Sequence, residues 1–154
     1  MNYRPLPDKL RRICDAIVAA PEFKMKNGET YCNLALRKAM DGVELDLFYD
    51  EKKKRVMMAN EMIDHMEATP SKFGRIHDGT DAFEWAKAGL IVLACDKGEK
   101  HGHIALVYPS DEMQHSASWG KLVPMLANVG KRNGVMRASL CFQEEPKYYC
   151  ILPF

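Results

Sequence analysis

The stretch Leu90-Ile91-Val92-Leu93-Ala94-Cys95, followed by a polar connector from Asp96 to Gly102 and then by His103-Ile104-Ala105-Leu106-Val107-Tyr108, decides the fold class. Two short apolar runs rich in branched side chains, joined by a polar segment with glycines, predict a buried β-hairpin. Upstream of it the apolar spacing is helical. Leu10, Ile13, Ile17 and Val18 define a helix from about Asp8 to Ala20, ended by Pro21. A polar connector leads to Thr30, a capable N-cap, and a second helix from Cys32 through Met40 carries Ala35, Leu36, Ala39 and Met40 on one face. A third helix is expected near Met58 to Ala68, with Met58, Met62 and Met66 together on its apolar face, and a short fourth from Asp81 to Ala88 with Thr80 as cap. Downstream of the hairpin, Leu122 to Val129, Val135 to Phe142 and Tyr148 to Leu152 read as further strands. Helices first and an antiparallel sheet second make the class α+β.

The chain has 154 residues, the length of one domain spanning 1–154, enough to bury about two-thirds of its unfolded surface. Its 22 basic and 21 acidic side chains leave a formal charge of +1, so no overall field draws it to nucleic acid or anionic lipid. No segment approaches the roughly 20 apolar residues of a membrane span. The polar start Met1 to Lys9 lacks the apolar core of a secretory signal, and the expected site of synthesis is the cytoplasm. Lys52-Lys53-Lys54-Arg55 reads as a solvated connector.

The five cysteines form no C-x-x-C pair, so neither a zinc site nor a disulfide framework is suggested, and no cofactor or metal is expected. Cys14, Cys95 and Cys141 lie in apolar runs and read as core. Cys150, near the C-terminus, is a candidate for oxidation to a dimer. His65, His77 and His115 read as surface residues.

Cys32 and His103 carry the chemistry. A thiol attacks a carbonyl as thiolate, and its ordinary pKa of about 8.5 leaves little of that form near neutrality. At a helix N-terminus the unpaired amide groups and the positive end of the dipole stabilise charge on sulfur and, later, on an oxyanion. An imidazole at the start of an apolar strand, held by a third polar group, would supply the general base and acid. If the strands at 103–108 and 122–129 are antiparallel neighbours, the start of one lies beside the end of the other and Asn128 becomes the orienting residue. Asp111 and Glu112 lie at the far end, and His101 ranks behind His103 because it falls in the turn.

Thr30-Tyr31-Cys32-Asn33-Leu34-Ala35, Ala59-Asn60-Glu61-Met62-Ile63-Asp64, Trp85-Ala86-x-Ala88-Gly89-Leu90-Ile91-Val92 and Gly102-His103-Ile104-Ala105-Leu106-Val107-x-Pro109 together resemble the NlpC-type and CHAP-type cell-wall hydrolases over roughly residues 25 to 142. The resemblance implies a papain-like fold, with N-terminal helices packed on the C-terminal sheet. It also implies cleavage of an amide bond in peptidoglycan through a thioester, with Cys32 as nucleophile, His103 as base and Asn128 as third member. Tyr31, Trp85 and Trp119 would line the substrate groove. Tyr31-Cys32-Asn33-Leu34 departs from the Asp-Cys-Ser-Gly common in NlpC-type members and favours a CHAP-like or phage-lysin-like branch. The implied partners are a peptidoglycan peptide or muramoyl-peptide and, for access to the wall, either a lysis partner or an injection apparatus with an immunity protein. Two other readings stand beside it: a papain-like hydrolase of another protein or small-molecule amide, and a binding module that keeps the fold without catalysis.

Overall fold

Proline at the first turn of α1 (Pro7–Ala19) costs no helical hydrogen bond, and Leu10, Cys14 and Ile17 bury one face of that helix. The computed structural model describes residues 5–152, and so Met1-Asn2-Tyr3-Arg4, which open the segment read for a leader, lie outside the described residues. A 3₁₀ turn at Pro21–Phe23 follows, then α2 (Cys32–Gly42), the two-stranded ribbon β1 (Tyr49–Asp50) and β2 (Arg55–Val56), α3 (Ala59–Ala68), β3 (Phe73–Ile76) and α4 (Gly79–Lys87). The second half contains β4 (Val92–Asp96), β5 (His103–Val107), the ribbon β6 (Gln114–Ser116) and β7 (Lys121–Val123), β8 (Met125–Asn128), β9 (Gly134–Arg137), the short α5 (Ala138–Cys141) and β10 (Lys147–Ile151).

Six strands form one antiparallel sheet in the order β3-β10-β4-β5-β8-β9, which makes the fold α+β. The expected hairpin is its centre: Leu93 pairs with Leu106 and Ala94 with Ala105. Because side chains alternate across a strand, this pairing feeds two cores. Leu93, Cys95, Ile104, Leu106 and Ala127 pack against α1, α2 and α3. Ala94, Ala105, Val107 and Leu126 pack on the other face with Ala82 and Ala86 of α4 and Ala138 of α5. Among the described residues, no helix is long and apolar enough to cross a membrane.

Several elements differ from the sequence expectation, each for a local reason. Pro124 has no N–H for a ladder, so the run 122–129 divides: β7 pairs with β6, and β8 joins the main sheet. The run 135–142 turns into α5 after Arg137, where the N–H of Ala138 donates to the carbonyl of Pro124 at 2.9 Å. Strand β3 carries no strong pattern of its own and exists by pairing with β10. The cap of α4 is Asp78, whose carboxylate accepts from the Asp81 N–H at 2.9 Å, and Thr80 lies inside the helix. Met62 and Met66 are fully buried, whereas Met58 precedes the helix and is 44% exposed. His65 is not a free surface group, since its ring meets Phe48 and Phe73 edge-on at 6.3 and 5.6 Å. Cys150 is buried in β10, between β3 and β4, which removes it as a site of dimerising oxidation.

The basic run closes the β1–β2 ribbon. Asp50 accepts from the N–H groups of Lys52 and Lys53, while Lys53 and Arg55 grip Glu61 at 2.7 and 2.8 Å and hold its carboxyl down at about 2.

Deleting the thioether of Met66 (Met66→Ala) is expected to cost about 2–5 kcal/mol of unfolding free energy, as for other large core side chains. Met58→Ala should stay within about 0.5 kcal/mol of wild type. Urea denaturation followed by circular dichroism measures both.

Candidate active site

Helix α2 starts without a side-chain cap. Tyr31 holds the N-cap position with no side-chain hydrogen bond to the helix, and Thr30, the expected cap, is exposed. The first amides of the helix are therefore left for another acceptor. The Cys32 sulfur lies where the backbone N–H groups of Ile104, Asn33 and Cys32 itself favour its charged form. Asn33 fixes the start of the helix from behind, its Nδ2 donating to the Met57 carbonyl at 3.0 Å.

Ile104 follows His103 directly at the start of β5, but the His103 ring packs on Phe142 of the core on the α4 face, whereas Cys32 belongs to the core on the α2 face. His103 is half-buried, with its ring 4.9 Å from that of Phe142. Its Nε2 lies 2.6 Å from Oδ1 of Asn128. Asn128 is buried, and its Nδ2 donates to the carbonyl of Arg132 at 2.8 Å, so its oxygen is the atom presented to the ring. An amide oxygen only accepts, so Nε2 carries the proton and Nδ1 is left as the basic nitrogen. A Cβ on Gly130 would sit 3.4 Å from Cε1 of His103 and 3.6 Å from Nδ2 of Asn128, ordinary contact distances that place this loop against the pair.

Burial determines the charge states. The three amides stabilise a thiolate, but desolvation outweighs them and the Cys32 thiol lies above its ordinary value. This reverses the expectation that the helix terminus, together with an adjacent imidazolium, would hold it down. His103 is pushed below the ordinary histidine value by burial, partly offset by Asn128. Both partners thus rest neutral near pH 7.

A cleft of about 640 Å³ opens beside His103 and Asn128, lined by Thr30, Trp119, Arg132 and Phe142 among others. Cys32 is 8% exposed and does not line this cleft; it borders a separate void of about 10 Å³ with Ile17, Leu36, Ile104 and Val129. Trp119 lines the cleft, with Nε1 donating to the Gln143 carbonyl at 3.2 Å. Trp85 does not. It projects to solvent from α4, one position before the inward Ala86, on the sheet face opposite α2. Tyr31 packs on the core of the α2 face instead of lining the cleft. Gly130, Arg132 and Phe142 were missed in the sequence. Only the turn-forming residues between Asn128 and Gly134 signalled a loop there. Among the described residues, no group of three or more His, Cys, Asp or Glu side chains is placed to hold a metal ion.

No family model matches the chain, and no curated protein matches it in sequence.

Since the folded protein holds His103 neutral more strongly than the unfolded chain does, the stabilising contribution is complete above the ordinary value of 6.5 and is lost as pH falls from there toward the lowered folded value. His103→Gln should flatten the dependence of unfolding free energy on pH between about 7 and 5. Denaturant titrations at a series of pH values measure it; an unchanged slope would show that His103 is not the group responsible.

Proposed function

We propose that this chain is a cysteine amidase or endopeptidase that cleaves an amide bond in peptidoglycan through a thioester. The observation that carries the reading is the bond from Nε2 of His103 to Oδ1 of Asn128. It leaves Nδ1 basic one residue away from the amide that meets the Cys32 sulfur. A neutral thiol and a neutral imidazole are a competent starting pair once substrate binding brings the sulfur to Nδ1, because the proton then passes from one to the other as attack begins.

In the first half-reaction, sulfur bonds to the carbonyl carbon, its proton moves to Nδ1, and the carbonyl oxygen becomes an oxyanion. The amides of Cys32 and Asn33, which no side-chain cap occupies, stabilise that charge. One such donor is worth about 3 to 4 kcal/mol in other acyl-transfer sites. The imidazolium then protonates the leaving amine, the C–N bond breaks, and a thioester remains. In the second half-reaction His103 takes a proton from water, hydroxide adds to the thioester, and the carboxylic acid leaves as the thiol is restored. Asn128 holds the ring throughout and stabilises the imidazolium through its oxygen.

Peptidoglycan as substrate rests on the resemblance of the Cys32 and Gly102-His103 segments to the NlpC-type and CHAP-type hydrolases, and so does a papain-like topology. The cleft is in the size range of small-ligand sites, and Trp119 offers an aromatic wall for a sugar or peptide face. Delivery to the wall by a lysis partner, or by an injection apparatus with an immunity protein, belongs to the same proposal. The inward packing of Cys32 favours a second reading, a binding module in which the thiol is structural.

Digestion of purified peptidoglycan, with mass spectrometry of the products, separates these. Fragment release by wild type, none by Cys32→Ala, and a rate lower by about 10²–10⁴ for His103→Ala are expected. Fragment masses name the bond. Equal release by wild type and Cys32→Ala, or none from several wall chemotypes, would overturn the reading.

A further inference from the structure

The cleft beside His103 has a one-sided charge. Lys131 and Arg132 line it, and no Asp or Glu is among its lining residues, although acidic and basic side chains are nearly equal in number over the chain. Among the described residues neither cation takes part in an ion pair, whereas Arg11, Arg37, Lys53, Arg55, Lys97 and Lys121 each do. The loop that carries them is built. Asn128 holds the Arg132 carbonyl at 2.8 Å, Asn133 Oδ1 accepts from the Gly130 N–H at 2.9 Å, and Asn133 Nδ2 donates to the Phe23 carbonyl at 2.9 Å. Two asparagine side chains therefore pin the backbone on both sides of Lys131, and the two cations stand on a preorganised support at the Cε1 edge of the imidazole.

We infer that Lys131 and Arg132 seat a carboxylate of the substrate on the leaving-amine side of the scissile bond. The inference rests on the hydrolase reading for its orientation. His103 delivers the proton to the leaving amine, so cations on the loop beside His103 face the residue that supplies that amine. A guanidinium matches a carboxylate with parallel N–H donors, and an ammonium adds a mobile point charge. The preferred substrate is an amide whose amine-side residue carries a free carboxylate, as a glutamate within a stem peptide does, and the amidated counterpart is disfavoured.

The test reads binding apart from turnover. Acetyl-alanyl-glutamate with free carboxylates, the same dipeptide with both carboxylates converted to carboxamides, and inorganic phosphate are titrated by calorimetry into the Cys32→Ala protein. The same titrations are run in this protein carrying Lys131→Gln and Arg132→Gln, and in one carrying Lys52→Gln and Lys54→Gln, which removes the same charge from the distant β1–β2 turn. The expected result is a free acid bound at least tenfold tighter than the diamide. That preference should be lost with the 131/132 pair and kept with the 52/54 pair. Equal binding of acid and diamide, binding of neither, a preference that survives loss of both cations, or tighter binding of phosphate than of the acid would overturn it. A carboxylate preference without Cys32-dependent hydrolysis of peptidoglycan would sink the hydrolase reading and leave the seat standing; hydrolysis without the preference would do the reverse.

Discussion

Strand β5 serves both faces of the sheet, and the rest of the molecule is arranged around that constraint. Held between β4 and β8, it sends Ile104 and Leu106 to the α2 face and Ala105 and Val107 to the α4 face. Its pairing with β8 begins only at Leu106 and Ala127, so the strand starts unpaired on that side. Into that opening come the amide-rich end of α2 and the Asn128 side chain. The same splayed end that costs the sheet hydrogen bonds leaves the Ile104 N–H free for sulfur and leaves room for the imidazole.

The uncapped start of α2 is the second half of the arrangement. A serine or aspartate at the N-cap would satisfy the first amides and favour the helix by about 1 kcal/mol. Tyr31 leaves them open, and those of Cys32 and Asn33 favour the charged form of the Cys32 sulfur. Local stability is traded for donors aimed at one atom, a pattern typical of functional sites. Burial then keeps both titrating partners neutral near pH 7.

The hairpin, the amphipathic helices and the pairing of His103 with Asn128 were legible because each follows from periodicity or antiparallel geometry. Asn128 needed only two adjacent strands. The wall of the cleft was less legible. Trp85 and Trp119 look alike in the sequence, yet Ala86 beside Trp85 turns inward and carries that ring to the opposite face, while the β6–β7 ribbon holds Trp119 at the cleft. The Lys131-Arg132 pair carries no local sequence signal, because what sets it apart is that no carboxylate lines the cleft beside it, and carboxylates are distributed by the fold.

By itself the sequence determined the α+β class, the helix that starts at Cys32 and the strand that starts at His103, since these depend on local patterns of apolar residues and turn formers. Tertiary structure alone decided that β10 enters between β3 and β4, that Pro124 divides one expected strand in two, and that the Cys32 thiol is pushed up despite its helix terminus. Those outcomes depend on which backbone groups meet across long loops and on how much water is excluded between them, and neither quantity is written in any single stretch of chain.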